Sequence, residues 1–341
     1  MSTQAQQMTE TVAELTAPRK GILAADESSG TIEKRFKAVK VPSTEETRRD
    51  YRELLFSTPG LGGFISGIIL FEETLKQKTA AGVALPLLLT AQGIVPGIKV
   101  DMGTLPLPGF PGEKVTQGLD GLAQRLGAYK QLGARFAKWR AVIAIGSGIP
   151  TPQAIDANAH ALACYAAICQ EQGVVPIVEP EVLMDGDHTL ATCARVTEEV
   201  LHAVFHALYR QRVALEYMLL KPNMVVPGIA CTEQATPEQV AQATLACLRR
   251  TVPAAVPGIY FLSGGQSDVT ATANLNAINA GPPKQPWVLS FSYGRALQAP
   301  ALNAWRGAGA NKTIAQQALY KRARLNSAAR DGKYTDILEK E

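Results

Sequence analysis

Cysteine is scarce in this sequence. The five that occur, Cys164, Cys169, Cys193, Cys231 and Cys247, are odd in number and contain no C-x-x-C pair, so no disulfide framework and no structural zinc site is expected. Long apolar runs are missing too. No stretch approaches the ~18 residues that span a bilayer, and Met1–Thr16 is polar, without the basic start and apolar core of a signal peptide or the arginines of a transit peptide. The 34 basic and 30 acidic residues are interspersed, so the net charge of +4 forms no basic block, and neither nucleic acid nor membrane is an expected partner. There is no Pro/Ser/Gly-rich linker and no low-complexity segment. What is present, 46% apolar and 19% charged residues, suits a globular chain with a sizeable core in a reducing cytoplasm.

From Gly21 onward, short apolar runs alternate with longer segments bearing helix signals, the pattern of repeated βα units around a parallel sheet. Eight runs read as strands: Gly21–Asp26, Gly67–Phe71, Gly97–Val100, Phe136–Arg140, Pro176–Glu181, Met218–Lys221, Gly258–Ser263 and Trp287–Ser292. Helix caps are expected at Ser43 with Glu46 and at Thr236 with Gln239, both at capping-box spacing. Another is expected at Thr151 before Pro152, in a helix that Gly173 closes. Eight strands each followed by a helix predict an α/β fold, a single (β/α)8 barrel domain over residues 1–341, because an open sheet of that width leaves two edges to protect. Ala296–Trp305 and Lys312–Ala328 read as additional C-terminal helices; residues 1–16 are a polar N-terminal segment and 329–341 a polar tail.

Nearly every unusual polar residue falls at the C-terminal end of a predicted strand, where a barrel places its active site whatever the reaction. Asp26 ends the first strand, Lys99 lies on the third, Lys138 and Arg140 on the fourth, Glu179 and Glu181 on the fifth and Lys221 on the sixth. A two-residue step keeps side chains on one face, so Lys138 and Arg140 point together, as do Glu179 and Glu181. A lysine is ordinarily a solvated surface charge. Lys221 instead caps the apolar stretch Tyr217-Met-Leu-Leu220 and precedes Pro222, the setting of a nucleophilic amine, which burial and a neighbouring like charge favour. Lys138 is the candidate like charge and Glu179 the candidate acid/base; the plainer reading of these residues is a structural ion-pair network.

The last two strands run into Ser263-Gly264-Gly265 and Ser292-Tyr293-Gly294-Arg295, loops where barrels commonly hold phosphate. Glycine exposes backbone N–H groups, and a hydroxyl with a guanidinium fork completes a cradle. Across the mouth, Lys99, Arg140, Ser28, Thr31 and Arg35 are expected to meet a second anion, which predicts a substrate with a phosphate at each end. Two patterns are set aside. His202 and His206 have the spacing of a zinc pair but no glutamate between them, so helix packing accounts for them, and Asp185-Gly-Asp-His188 reads as a turn.

At these residues the sequence closely resembles class I fructose-bisphosphate aldolase, a metal-independent, Schiff-base-forming family. The resemblance runs through Gly21-Ile-Leu-Ala-Ala-Asp-Glu-Ser-Ser-Gly30, Phe136-Ala-Lys-Trp-Arg140, Val178-Glu-Pro-Glu181, Leu219-Leu-Lys-Pro-Asn-Met224, Phe261-Leu-Ser-Gly-Gly-Gln266 and Phe291-Ser-Tyr-Gly-Arg-Ala-Leu297, covering almost the whole chain. It implies reversible cleavage of fructose 1,6-bisphosphate to dihydroxyacetone phosphate and glyceraldehyde 3-phosphate, in glycolysis and gluconeogenesis, without metal or other cofactor. By the resemblance Lys221 forms the imine at the ketose C2, Glu179 serves its proton transfers, Asp26 takes the C4-hydroxyl proton and Lys138 holds and polarises the substrate. Ser263, Gly264, Gly265, Ser292, Gly294, Arg295 and Arg35 would bind the sugar phosphate, in an enzyme that is typically a homotetramer. Thr31 stands where the vertebrate muscle enzyme has serine, keeping the hydroxyl. The terminal tyrosine of the animal enzymes has no counterpart at Glu341, so Tyr334 is expected to be structural and the enamine to take its proton from water, Glu179 or Glu181. A pyridoxal-phosphate barrel would also pair a lysine with a phosphate cradle, and a non-catalytic scaffold would keep the same fold.

Overall fold

The computed structural model describes residues 3–281 and 283–341. In chain order its first half comprises α1 (Thr3–Leu15), β1 (Gly21–Ala25), α2 (Ser29–Ala38), α3 (Glu45–Phe56), β2 (Ile65–Leu70), α4 (Glu72–Lys76), α5 (Leu85–Thr90), β3 (Val95–Lys99), β4 (Thr104–Pro106), β5 (Lys114–Thr116), α6 (Leu122–Gln131) and β6 (Phe136–Ile143). There follow α7 (Pro152–Glu171), β7 (Val175–Val182), α8 (Leu190–Arg210), β8 (Leu219–Leu220), α9 (Pro237–Thr251), β9 (Gly258–Phe261), α10 (Asp268–Ala280), β10 (Val288–Tyr293), α11 (Arg295–Trp305) and α12 (Lys312–Arg330). The strands β1, β2, β3, β6, β7, β8, β9 and β10 pair in parallel in that order, and β10 returns to β1 to close a barrel. Each of the eight expected strands is present, with its ends moved by a few residues.

Burial on both faces explains the continuous apolar runs: every residue of β1, β2, β7 and β9 is buried. One set of side chains faces the helices. The other fills the barrel, where Ile22, Val95, Phe136, Val175, Ile177, Leu219 and Tyr260 form one cluster. Phe136 needs a glycine opposite, because a Cβ on Gly97 would stand 2.2 Å from its ring. The cluster's floor is α1. Residues 1–16 read as polar, yet Met8, Val12 and Leu15 recur at helical spacing and lie buried beneath the barrel. The Leu15 carbonyl accepts from Ser66 Oγ and Tyr260 Oη, each at 2.7 Å, which pins the helix to the strands' N-terminal ends.

The helix starts follow side-chain chemistry. Thr236 and Gln239 cap α9 reciprocally, and Thr151 caps α7 before Pro152, with Gly173 at φ +68° beyond its end. The expected box at Ser43 falls one residue late: Thr44 is the cap, exchanging hydrogen bonds with Thr47, while the Ser43 carbonyl accepts from Arg48 at 3.2 Å. The β4–β5 hairpin lies in a proline-rich stretch without strand alternation, and the sequence gives no signal for it. It is fastened by Glu113, whose carboxylate accepts from Thr151 N and Oγ1 at 2.7 and 2.6 Å. His202 and His206, expected to pack within the protein, face solvent on α8.

Candidate active site

The strand ends converge on a cavity of about 590 Å³ at the C-terminal mouth of the barrel. Three strands put a lysine, a glutamate and a second lysine side by side. Lys221 follows β8 directly, its backbone N–H held by the Val178 carbonyl at 2.8 Å, and its Nζ lies 3.0 Å from Glu179 Oε1. The other oxygen of Glu179 is 3.1 Å from Lys138 Nζ, which also stands 2.8 Å from Asp26 Oδ2. Lys138 is the one cation that Glu179 Oε2 meets among the described residues, as Lys221 is for Oε1.

Burial and charge oppose one another here. Burial pushes the Asp26 carboxyl up, but the Lys138 and Lys221 charges outweigh it and hold Asp26 well below the usual carboxylate range. Glu179 is lowered by the same contest between burial and the lysines. Burial alone would lower Lys138, yet Asp26 and Glu179 raise it above the ordinary lysine range. Lys138 is therefore a fixed cation at neutral pH. It shares the Glu179 carboxylate with Lys221.

Around this centre the cations differ in their partners. Lys99 Nζ meets Asp101 Oδ1 at 2.6 Å, Arg140 Nε pairs with Glu181, and Arg35 with Glu27. Arg295 carries no ion pair among the described residues and faces the glycine loop, its Nη2 3.4 Å from where a Cβ on Gly265 would sit. Gly264 and Gly265 have φ of +56° and +104°, a left-handed pair that only glycine adopts readily and that turns the backbone toward the cavity. The Ser292 hydroxyl is buried without a partner among the described residues and also lines the cavity.

All the residues singled out from the sequence line this one cavity, and Ser28 and Thr31 share a hydrogen bond at 3.1 Å on its rim. Arg35 is the exception in placement. The residue pattern grouped it with the far cations and the resemblance with the Ser263 and Gly294 loops; α2 brings its Nη2 within 3.8 Å of a Cβ position on Gly294, beside the first cradle. The direction in which α2 leaves the barrel decides this, and no local pattern encodes it. Glu27, Lys34 and Leu262 also line the cavity without having been picked out, as does Asp185, which was read only as part of a turn. Glu27 sat inside the Gly21–Gly30 motif, where its position beside Asp26 was the available signal. Tyr334 lies elsewhere, its hydroxyl bonded to Glu339 Oε1 at 2.9 Å. The Asp185–His188 turn leaves His188 buried, and no group of three or more potential metal-ligating residues occurs among the described residues.

Fold and site together define a (β/α)8-barrel enzyme organised around a buried lysine and suited to a substrate with negative charge at both ends. A family model described as fructose-bisphosphate aldolase class-I matches residues 7–341, and the chain belongs to that family. It is similar to a probable fructose-bisphosphate aldolase class 1 of Xylella fastidiosa, 56% identical over 330 residues that cover 96% of this chain and 98% of the relative. The non-muscle fructose-bisphosphate aldolase of Lethenteron camtschaticum is 55% identical over 332 residues, 97% of this chain and 91% of the relative. Among solved structures, the aldolase of Plasmodium falciparum, in complex with TRAP and a small-molecule inhibitor, superposes with a TM-score of 0.96 at 53% identity, covering 98% of this chain and 97% of that one. The chain is thus a carbon–carbon lyase of glycolysis and gluconeogenesis that reversibly cleaves fructose 1,6-bisphosphate through a lysine Schiff base.

Proposed function

We propose that the Schiff base forms on Lys221 and that Glu179 moves its protons. The observation that carries this is the 3.0 Å contact between Lys221 Nζ and Glu179 Oε1 inside a cavity lined by both anion cradles. The free amine adds to the ketose C2. For that addition Glu179 first takes one proton from the Lys221 ammonium, a second passes from the adding nitrogen to the carbonyl oxygen, and Glu179 returns the first to the resulting hydroxyl, so that water leaves and a protonated imine with the third proton remains. Asp26, kept as a carboxylate by Lys138, accepts the C4-hydroxyl proton as the C3–C4 bond breaks and its electrons flow into the iminium. Protonation of the resulting enamine at C3 and hydrolysis of the imine restore the lysine.

Position orients the substrate. C2 is one carbon from the C1 phosphate, and β9 lies beside β8 with β10 next in the barrel, so Ser263, Gly264, Gly265, Ser292, Gly294 and Arg295 take that phosphate. Lys99, Arg140, Ser28 and Thr31 take the far one, with Glu181 holding Arg140. The resemblance supports a homotetramer, for which exposed Leu87, Met102, Tyr209 and Ile229 offer apolar surface. Five free thiols favour a reducing cytoplasm. No helix of the described residues is long and apolar enough to cross a membrane.

Lys221→Arg keeps the positive charge and removes imine chemistry. Turnover should vanish while fructose 1,6-bisphosphate still binds; retained turnover would overturn the assignment.

A further inference from the structure

The loop after β1 holds a carboxylate to which the roles above give no task. Glu27 is 8% exposed and takes two guanidinium groups at once: Arg35 Nη1 from α2 on Oε1, and Arg52 Nη2 from α3 on Oε2 at 2.6 Å. Gln298 of α11 completes the cluster, its Nε2 donating to Glu27 Oε1 at 2.8 Å and to the Ala24 carbonyl at 2.7 Å. Arg52 and Gln298 are each 2% exposed, so the carboxylate is fastened from behind by groups that solvent does not loosen.

Arg35 differs from these partners because it lines the cavity. Its Nη1 is anchored on Glu27, while Nη2 points to Gly294, 3.8 Å from a Cβ position there. One edge of the guanidinium is thus tied down and the other presented. An arginine left free would surrender rotamer freedom each time it closed on an anion, and anchoring removes that cost in advance.

We propose that Glu27 is a positioning residue that fixes Arg35 so that its free edge completes the phosphate cradle of Ser263–Gly265 and Gly294–Arg295. Arg52 and Gln298 hold Glu27 for that purpose. The inference rests on the reading of this cradle as a phosphate site.

The test compares three variants by KM and kcat for fructose 1,6-bisphosphate and by the Ki of inorganic phosphate as a competitor, with thermal melting to report folding. Arg35→Ala should raise KM and Ki about tenfold through loss of a charge-assisted phosphate contact. Glu27→Gln with Arg52→Gln removes the buried anion together with its buried counter-cation, and should raise both constants by about the same factor with kcat within about twofold. Arg35→Ala added to that pair should then change little, less than about twofold, because the two act through one contact. A pair variant with unaltered KM and Ki, or a full further tenfold loss on adding Arg35→Ala, would overturn the role of Glu27. If Arg35→Ala alone changed neither constant, the phosphate reading of Arg35 would fail and the role of Glu27 with it. Gln298→Met keeps both charges and frees Glu27 on one side; it covers the case in which the pair variant does not fold. It should raise KM about threefold, and an unaltered KM in this variant also overturns the proposal.

Discussion

Lys138 Nζ lies 2.8 Å from Asp26 Oδ2, and through this contact the half-buried Asp26, the buried Glu179 and two lysines become one charge system. Asp26 and Glu179 titrate lower in the folded chain than unfolded. Their contribution to stability is therefore complete above the ordinary carboxylate range, near pH ~4, and is lost as pH falls below it toward their folded values. Lys138, raised in the folded chain, contributes fully below the ordinary lysine range and loses that contribution as pH rises beyond its folded value. Lys138→Met strands Asp26 and leaves Glu179 with Lys221 alone, and should cost about 3–5 kcal/mol at neutral pH. Acid unfolding, followed by circular dichroism, should then begin at higher pH than in the unaltered protein; an unshifted acid midpoint would contradict this account.

Glu179→Gln keeps the shape of the side chain and removes its capacity to take a proton. With Lys221 at 3.0 Å the loss should appear in imine formation, lowering kcat by about 10²–10⁴. Single-turnover measurement of substrate trapping separates this step from cleavage. Trapping at the unaltered rate would move the proton transfers to another group.

Much of this site was legible in the sequence because barrel strands end where chemistry begins. Lys221 after Leu219-Leu220, and the pairs Lys138/Arg140 and Glu179/Glu181 at a strand's two-residue step, were readable as cavity-facing before any coordinates. What escaped depends on tertiary placement. Three apolar residues of α1, Met8, Val12 and Leu15, are too few to stand out in a polar stretch, yet suffice to floor a barrel. The hairpin at Thr104–Thr116 is fixed by Glu113 reaching Thr151 rather than by local pattern. Arg35 was grouped by the residue pattern with the far cations and by the resemblance with the Ser263 and Gly294 loops, and only the path of α2 brings it beside Gly294.

Arg295 is the cavity arginine without a carboxylate partner among the described residues, so a phosphate gains its full charge-assisted contact there. Arg295→Ala should weaken binding of the bisphosphate by roughly 1.5–3 kcal/mol and leave a non-phosphorylated ketose analogue nearly unaffected. Titration calorimetry of both ligands decides it; equal losses would remove Arg295 from the phosphate site.

Tyr334 is 6% exposed, its N–H donating to Asn276 Oδ1 at 2.9 Å and its hydroxyl to Glu339, which also pairs with Arg322 at 2.6 Å. Burial and Glu339 raise its pKa well above the ordinary tyrosine range, the reverse of a phenol prepared to give up a proton. Deleting Thr335–Glu341 should lower the melting temperature by exposing Arg322, yet leave proton exchange at C3 of dihydroxyacetone phosphate nearly unchanged. A slowing of exchange by on the order of 100-fold would make this tail catalytic.

The central claim is the covalent bond at Lys221. Borohydride added with dihydroxyacetone phosphate reduces an imine to a stable secondary amine, and peptide mapping by mass spectrometry locates it. The account predicts inactivation with the three-carbon phosphate fixed on Lys221 alone, undiminished by prior treatment with EDTA because the protonated imine is itself the electron sink. Active enzyme without adduct, or an adduct on Lys138 or Lys99 in its place, would contradict it.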